Sequence, residues 1–192
     1  MKLKGPIWLM QPIPYFGEEL KGEWIYEEKI DGWRMQIIKY KNEVEFWGRR
    51  LEKNPNWTEK LYYLKEIAIK FLPENTLIDC ELYSEKGRKE IPSLFTKDRK
   101  IKPVIYVFDI VFLENEFVGS KALKERKEIL KNLKFIEPFY FLDYNFFSNF
   151  SDIKVSKDAE GIILKNWSSI YLVGSEAPVA TIDWRKLKYG YK

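Results

Sequence analysis

Between residues 24 and 47 short apolar runs alternate with charged turns, and the segment reads as three strands over 24–29, 34–40 and 44–47. The turns "DGW" and "KNE" supply the Gly and Asn that reversals favour, so the first pair reads as a strand–turn–strand hairpin. "NPNWTEKLYYLKEIAIKFLPEN" reads instead as a helix: Leu61, Leu64, Ala68 and Phe71 recur on one face. Thr58 is its expected N-cap and Pro73 its stop. "TLIDCELY" and "PVIYVFDIVFL" read as buried strands. "SKALKERKEILKNL" is a second helix, starting near Ser120 or Lys121, with Leu123, the Lys127 stem, Leu130 and Leu133 along one side. "GIILK" and "TIDWRKLK" are the last strand candidates. Residues 1–23 are punctuated by Pro and Gly and read as extended; the aromatic-rich stretch 135–158 carries no clear period. Strand runs with helices between them predict an α+β domain with largely antiparallel sheets.

Composition narrows the chemistry. The 192 residues include no histidine and one cysteine, Cys80. Disulfides, cysteine zinc clusters and every histidine-based nucleophile pair, general base or metal site are therefore excluded. Any catalysis must use Lys, Arg, Asp, Glu, Tyr or an ion held by oxygen ligands. The net charge of +4 is a weak pointer to a polyanionic partner. No apolar run is long enough to span a membrane, and the N-terminal apolar piece is broken by prolines, so a cytoplasmic protein with no membrane partner is expected.

Charged residues recur in or beside apolar strands. Lys29 and Arg34 flank the "DG" turn, Glu81 lies within "LIDCELY", and Asp109 lies within "YVFDIVFL". Glu160 and Lys165 bound "EGIILK", and Lys186 and Lys188 close "WRKLK". Burying an unpaired charge costs on the order of 2–5 kcal/mol. One or two buried ion pairs are common; this many charges on separate strands point to a polyanionic ligand and a metal.

In this order, these stretches resemble the nucleotidyltransferase motifs of the covalent nucleotidyltransferases, which include ATP-dependent DNA ligases, RNA ligases and messenger RNA capping enzymes. The match is closest to the DNA ligases. "FWGRRLEKNPNWTE" resembles their arginine segment after the nucleophile, "ALKERKEILKNL" the helix after their Phe-Asp strand, and "DWRKLKYGY" their terminal Trp-x-Lys-x-Lys stretch. The resemblance covers residues 12–191. It implies a single adenylation domain over 1–192, with the ATP-grasp-like nucleotidyltransferase fold of antiparallel sheets flanked by helices. It implies ATP and Mg²⁺ (or Mn²⁺) as cofactors, and nicked duplex nucleic acid, DNA first, as substrate in replication or repair.

The resemblance also assigns roles. Lys29 is the nucleophile that attacks the α-phosphate. Making a free lysine neutral at pH 7 costs roughly 4.6 kcal/mol, and nearby cations lower that cost; Arg34, Lys186, Lys188 and the metal are candidates. Glu27 matches the position that contacts the adenine amino group, and Arg34 holds ribose or phosphate, unless it merely pairs with Glu27 or Glu28. Gly32 lets the backbone turn close to the ligand; Asp31 either orients that turn or touches ATP. Strand parity puts Ile78, Cys80 and Leu82 on one face, and Asp79, Glu81 and Tyr83 on the other. Glu81 then resembles the ribose-binding acid, with a share in the metal. Cys80 stands where the family commonly has Gly, as a small buried residue. Phe108 resembles the aromatic that stacks on the purine, Ile163 covers the base from the other side, and Lys165 reaches the α-phosphate. Glu160 resembles the metal-binding acid. Lys186 and Lys188 share a face and aim at one triphosphate. Arg49 resembles the residue that holds the 5′-phosphate of the nick, with Arg50 beside it.

Such ligases usually carry an OB-fold domain after the last motif and a DNA-binding domain before the first. The sequence contains neither, so a partner protein or domain supplying the OB-fold function is expected, as is self-adenylylation slower than sealing. An RNA ligase or capping-type guanylyltransferase is the first alternative, and a non-catalytic nucleotide- or nucleic-acid-binding module the second. The set Lys29, Glu81, Glu160, Lys186 and Lys188 argues against the second, because a binder needs no nucleophile.

Overall fold

The computed structural model describes residues 2–156 and 159–189. Eleven strands form two sheets. The first contains β1 (Gln11–Pro14), β2 (Trp24–Glu28), β9 (Tyr144–Phe147), β10 (Gly161–Asn166) and β11 (Ala180–Lys188), in the order β1-β11-β10-β2-β9. The second contains β3 (Trp33–Lys39), β4 (Val44–Gly48), β5 (Thr76–Ser84), β6 (Pro103–Leu113) and β7 (Glu116–Phe117) in the order β4-β3-β5-β6-β7, with β8 (Phe139–Phe141) also paired to β6. Only β1 with β11 and β6 with β8 pair in parallel among these strands. Two helices, α1 (Lys65–Phe71) and α2 (Leu123–Asn132), complete an α+β architecture.

The hairpin expected around Lys29 does not form. β2 and β3 lie in different sheets, and the loop between them crosses from one to the other. The ladders explain why: β2 is satisfied by β10 and β9, and β3 by β4 and β5. Lys29 itself donates its N–H to Gly161 O and accepts from Glu160 N–H, which ties the loop to the start of β10. Gly32, which lines the cleft between the sheets as expected of a ligand-side turn, meets a second constraint. A Cβ there would lie 2.4 Å from Leu82 O and 2.7 Å from Glu81 Cγ, so the close approach is to β5.

The first helix is shorter than its apolar pattern. Thr58 does not cap it: its hydroxyl accepts from Phe46 N–H, and Trp57 N–H donates to Phe46 O, so this segment docks on β4 and then turns through residues 58–61. A 3-10 turn at Tyr62–Leu64 leads into α1. Leu61, Leu64, Ala68 and Phe71 are all buried, as their spacing predicts. Lys39, from β3, donates to Ile69 O and Leu72 O, placing a cation at the C-terminal end of α1 where unpaired carbonyls favour it. At α2, Glu125 accepts from Ala122 N–H, so the helix begins just after the expected Ser120 or Lys121.

The core has three parts. Ile37, Phe46, Ile78, Cys80, Leu82, Val107 and Leu130 belong to the part that packs α1 and α2 on the second sheet. Leu9, Met10, Leu77, Phe108, Phe112, Tyr171 and Trp184 fill the part where the two sheets meet. Trp24, Tyr26, Ile162 and Leu164 cover the far face of the first sheet. The side chain of Gln36 both donates to and accepts from the Ile7 backbone, docking the N-terminal segment. Arg126 and Asp109, both fully buried, form a two-pronged pair at 2.7 and 3.1 Å. Arg126 also donates to Lys121 O and Ser169 O, so one guanidinium joins α2, β6 and the segment after β10.

Replacing one partner of such a pair strands the other charge. Arg126→Met is expected to lower unfolding free energy by about 3–5 kcal/mol, while the double change Arg126→Met with Asp109→Leu recovers most of that loss. Urea unfolding of the three proteins checks this.

Candidate active site

The two sheets enclose a cleft of about 980 Å³. The lining includes Glu27, Lys29, Arg34, Arg49, Glu81, Phe108, Glu160, Ile163, Lys165, Lys186 and Lys188. These residues therefore reach one cavity; Asp109, counted with them as a charge within an apolar strand, does not, because Arg126 neutralises it in the core. Register shows how: Ile163 lies opposite Glu27 on β2 and Lys186 on β11, and Gly161 lies opposite Lys188. Alternation then sends Ile163, Lys186 and Lys188 to the cleft and Ile162 to the buried far face. On the other wall, Arg34 lies opposite Glu81 in the β3–β5 register.

Lys29 and Lys188 share one carboxylate, Glu160, each forming an ion pair with it. Burial pushes the Glu160 carboxyl up, but the hydrogen bonds from Lys188 and Lys29 outweigh it and hold the group below the usual carboxylate range. Asp31 is held by Arg88, whose guanidinium donates to Asp31 Oδ1 at 2.7 Å and Gly32 O at 2.9 Å. Asp31 is thus tied to Arg88 and also lines the cleft, so both of its expected roles keep a basis.

Arg34 does not pair with Glu27 or Glu28. It forms a two-pronged pair with Asp79, at 3.0 and 2.6 Å, and Asp79 also accepts from the Tyr171 hydroxyl at 2.6 Å. Burial alone would ease the Arg34 proton off; the Asp79 charge more than offsets this and raises its pKa. Glu81, beside this pair, is pushed up to about 7 by burial, against the pull of Arg34 and Lys29. Arg49 is exposed at the rim, where partial burial and the charge of Arg34 lower its pKa. Arg50 and Lys53 line the same rim.

At the apolar end, Phe108 is 8% exposed and meets Trp184 edge to face at 6.3 Å. Lys165 shares the cleft face expected of it, yet its ammonium turns to Glu27 Oε2 at 2.6 Å. The reason is burial: at 1% exposure it needs a counter-ion. Burial lowers its pKa to about 8 despite the Glu27 charge, and the positive charge of Lys127 adds to the fall. The other Glu27 oxygen pairs with Lys127, which also donates to Phe108 O at 2.8 Å. Trp184 Nε1 is a buried N–H with no acceptor among the described residues.

Sequence reasoning missed Lys127, Arg88, Tyr171 and the role of Asp79. Asp79 was within reach, since it shares the parity of Glu81. Lys127 was visible only as an apolar stem on a helix face; its partner lies a hundred positions away.

The donor set fits a nucleoside triphosphate: cations for phosphates and an aromatic face. It also fits Mg²⁺. No group of three or more His, Cys, Asp or Glu side chains gathers for a metal among the described residues. Glu160 and Glu81, however, face one cavity, and Mg²⁺ commonly binds one or two carboxylates together with phosphate oxygens.

Fold and cleft together define an α+β domain with a lysine on an inter-sheet loop, set among other cationic side chains. Residues 10–188 match the family model described as ATP dependent DNA ligase domain, and the chain belongs to that family. It is 25% identical over 178 residues to the SPbeta prophage-derived DNA ligase-like protein LigB of Bacillus subtilis, covering 88% of this chain and 62% of that one. It is 28% identical over 194 residues to the DNA ligase of Aeropyrum pernix, covering 89% and 31%. The chain thus spans less than two thirds of either relative. Among solved structures, mycobacterial DNA ligase D complexed with ATP and MES superposes with a TM-score of 0.67 at 15% identity, over 94% of this chain and 60% of that one. The ATP-dependent DNA ligase of bacteriophage T7, in complex with ATP, gives 0.62 at 17% identity, over 94% and 68%. These two show that the fold is shared.

The raised Glu81 pKa makes a signed prediction. A carboxyl whose folded pKa lies above its unfolded value stabilises the fold below the unfolded pKa, and that contribution is lost as pH rises through the folded one. Between pH 4.5 and about 7, wild type should therefore lose stability relative to Glu81→Gln, by on the order of 3 kcal/mol. Thermal unfolding of both proteins at pH 4.5, 6 and 8 reads this difference.

Proposed function

We propose that this chain is the nucleotidyl-transferring catalytic core of a DNA ligase: ATP adenylylates Lys29, the AMP passes to a 5′-phosphate, and a 3′-hydroxyl displaces it. The observation that carries this reading is the placement of Lys29. It projects from the inter-sheet loop into a cleft whose walls supply Lys186, Lys188, Arg34 and Lys165. A binding module needs the cations but not a lysine at their focus.

In the first step Lys29 must react as a free amine, and Glu160 is the acceptor in contact with it. A bond then forms from Nζ to the α-phosphorus, and the bond from that phosphorus to the pyrophosphate oxygen breaks. Lys186 and Lys188 neutralise charge on the leaving pyrophosphate, the main work in phosphoryl-type transfer. Glu27 and Phe108 hold the adenine, Ile163 covers it, and Arg34, pre-set by Asp79, and Glu81 hold the ribose. Glu160 and Glu81 would hold Mg²⁺, which supplies charge neutralisation at the phosphates when bound. Arg49, at the exposed rim, takes the 5′-phosphate of the nick. Nicked DNA is favoured over RNA because the relatives are DNA ligases or DNA ligase-like proteins. The described residues include no helix long and apolar enough to cross a membrane.

Incubation with Mg²⁺ and α-labelled ATP should leave label on the protein after denaturation, and Lys29→Ala should reduce it to background. Label from GTP alone would favour the capping-type alternative. Label surviving in Lys29→Ala, or no label from either nucleotide, would overturn the reading. Matched nicked DNA and RNA duplexes then separate the substrates.

A further inference from the structure

The buried charges at the apolar end of the cleft do not balance. Glu27, at 2% exposure, is one carboxylate between two ammonium groups, Lys127 at 0% and Lys165 at 1%. Lys165 Nζ also lies over two aromatic rings, 4.6 Å from the Phe108 centroid and 4.0 Å from Trp184. It therefore sits against the Phe108 ring, the aromatic proposed to stack on a purine. It also occupies Glu27 Oε2, an acceptor that a purine amino group would use. A nucleotide would meet Lys165 on both groups, and its phosphates would draw that lysine away.

We propose that Lys127 is a positioning residue that sets base choice: it holds Glu27 while Lys165 leaves for the phosphates, and the vacated Glu27 oxygen takes the adenine amino group. The inference rests on the nucleotidyl-transfer reading above. The two lysines are not equivalent. Lys127 has an anchor beyond Glu27, donating to Phe108 O at 2.8 Å, and lies 5.1 Å from the Phe141 centroid and 5.5 Å from Tyr144. Lys165 has no such backbone anchor among the described residues: it pairs with Glu27, lies over the two rings and feels the charge of Asp109, so an arriving polyphosphate competes with charge alone. Once Lys165 goes, Glu27 would be a buried charge with no partner were Lys127 absent, and nothing would hold its carboxylate where the base meets it. An acceptor out of place loses its preference for adenine, whose 6-amino group donates, over a 6-oxo purine, whose oxygen accepts. With Lys127 present Glu27 keeps its place as an acceptor, and the same displacement of Lys165 serves base and phosphate recognition together.

The test compares labelling from α-labelled ATP and inosine triphosphate in wild type, Lys127→Met and Lys127→Arg. Wild type and Lys127→Arg should prefer ATP, while Lys127→Met should lose about tenfold or more of the ATP-to-ITP ratio, the scale on which a buried hydrogen-bonding mismatch discriminates. An unchanged ratio in Lys127→Met, or an equal loss with both nucleotides, would show a merely structural lysine and overturn the proposal. A second arm needs no variant: ¹⁵N-lysine spectra of wild type with α,β-methylene ATP, which cannot transfer AMP. The Lys165 ammonium signal should shift and that of Lys127 hold. A stationary Lys165, or two equal shifts, overturns the proposal even if Lys127→Met does not fold. Wild type that takes no label from any nucleotide counts against the transfer reading instead, and the spectra still decide the lysine exchange.

Discussion

Cations gathered in a cleft repel one another, and the structure is organised around holding them together without a ligand. Three carboxylates do most of this. Glu160 bridges Lys29 and Lys188, Glu27 bridges Lys127 and Lys165, and Asp79 grips Arg34 with both oxygens. Each bridge joins residues far apart in the chain, so the fold must bring the strands together before any pair can form. The pairs differ in depth. Asp79 and Glu27 are buried, whereas Glu160 sits where solvent and a ligand can reach it. The deep pairs fix geometry; the shallow one stands next to the chemistry.

The two-sheet arrangement makes this possible. A single hairpin around Lys29 would leave the lysine at an exposed reversal. Sending β2 and β3 into different sheets places the loop between them at the bottom of a cleft with a wall on each side. The glycine in that loop lets it press on β5, and Arg88 clamps it from above the same strand's end. The parallel pairing of β1 with β11 extends the first wall and carries Gln11 and Pro12 to the cleft rim.

Much of this was legible in the chain. Period-2 alternation in "LIDCELY" and "DWRKLK" put Glu81, Lys186 and Lys188 on the cleft side, and the 3.6-residue period marked the buried face of α1. Local pattern failed where a tertiary partner took over a group. Thr58 would cap a helix in isolation, but its hydroxyl was claimed by β4. "DGW" is a hairpin signal, but each flanking strand found better neighbours elsewhere. The aromatic stretch that held no period became β8 and β9, edge strands whose pairing partners alone define them.

The sequence by itself determined which residue types would meet and on which face of its strand each would point, because alternation and periodicity are local geometry. It also excluded histidine chemistry, since it contains no histidine, leaving lysine, arginine, carboxylates, tyrosine or an ion held by oxygen ligands. Only the tertiary structure decided which charge pairs with which. Ion pairing depends on distance through space, and Lys127 with Glu27, or Arg34 with Asp79, become neighbours only when helix and sheets have packed.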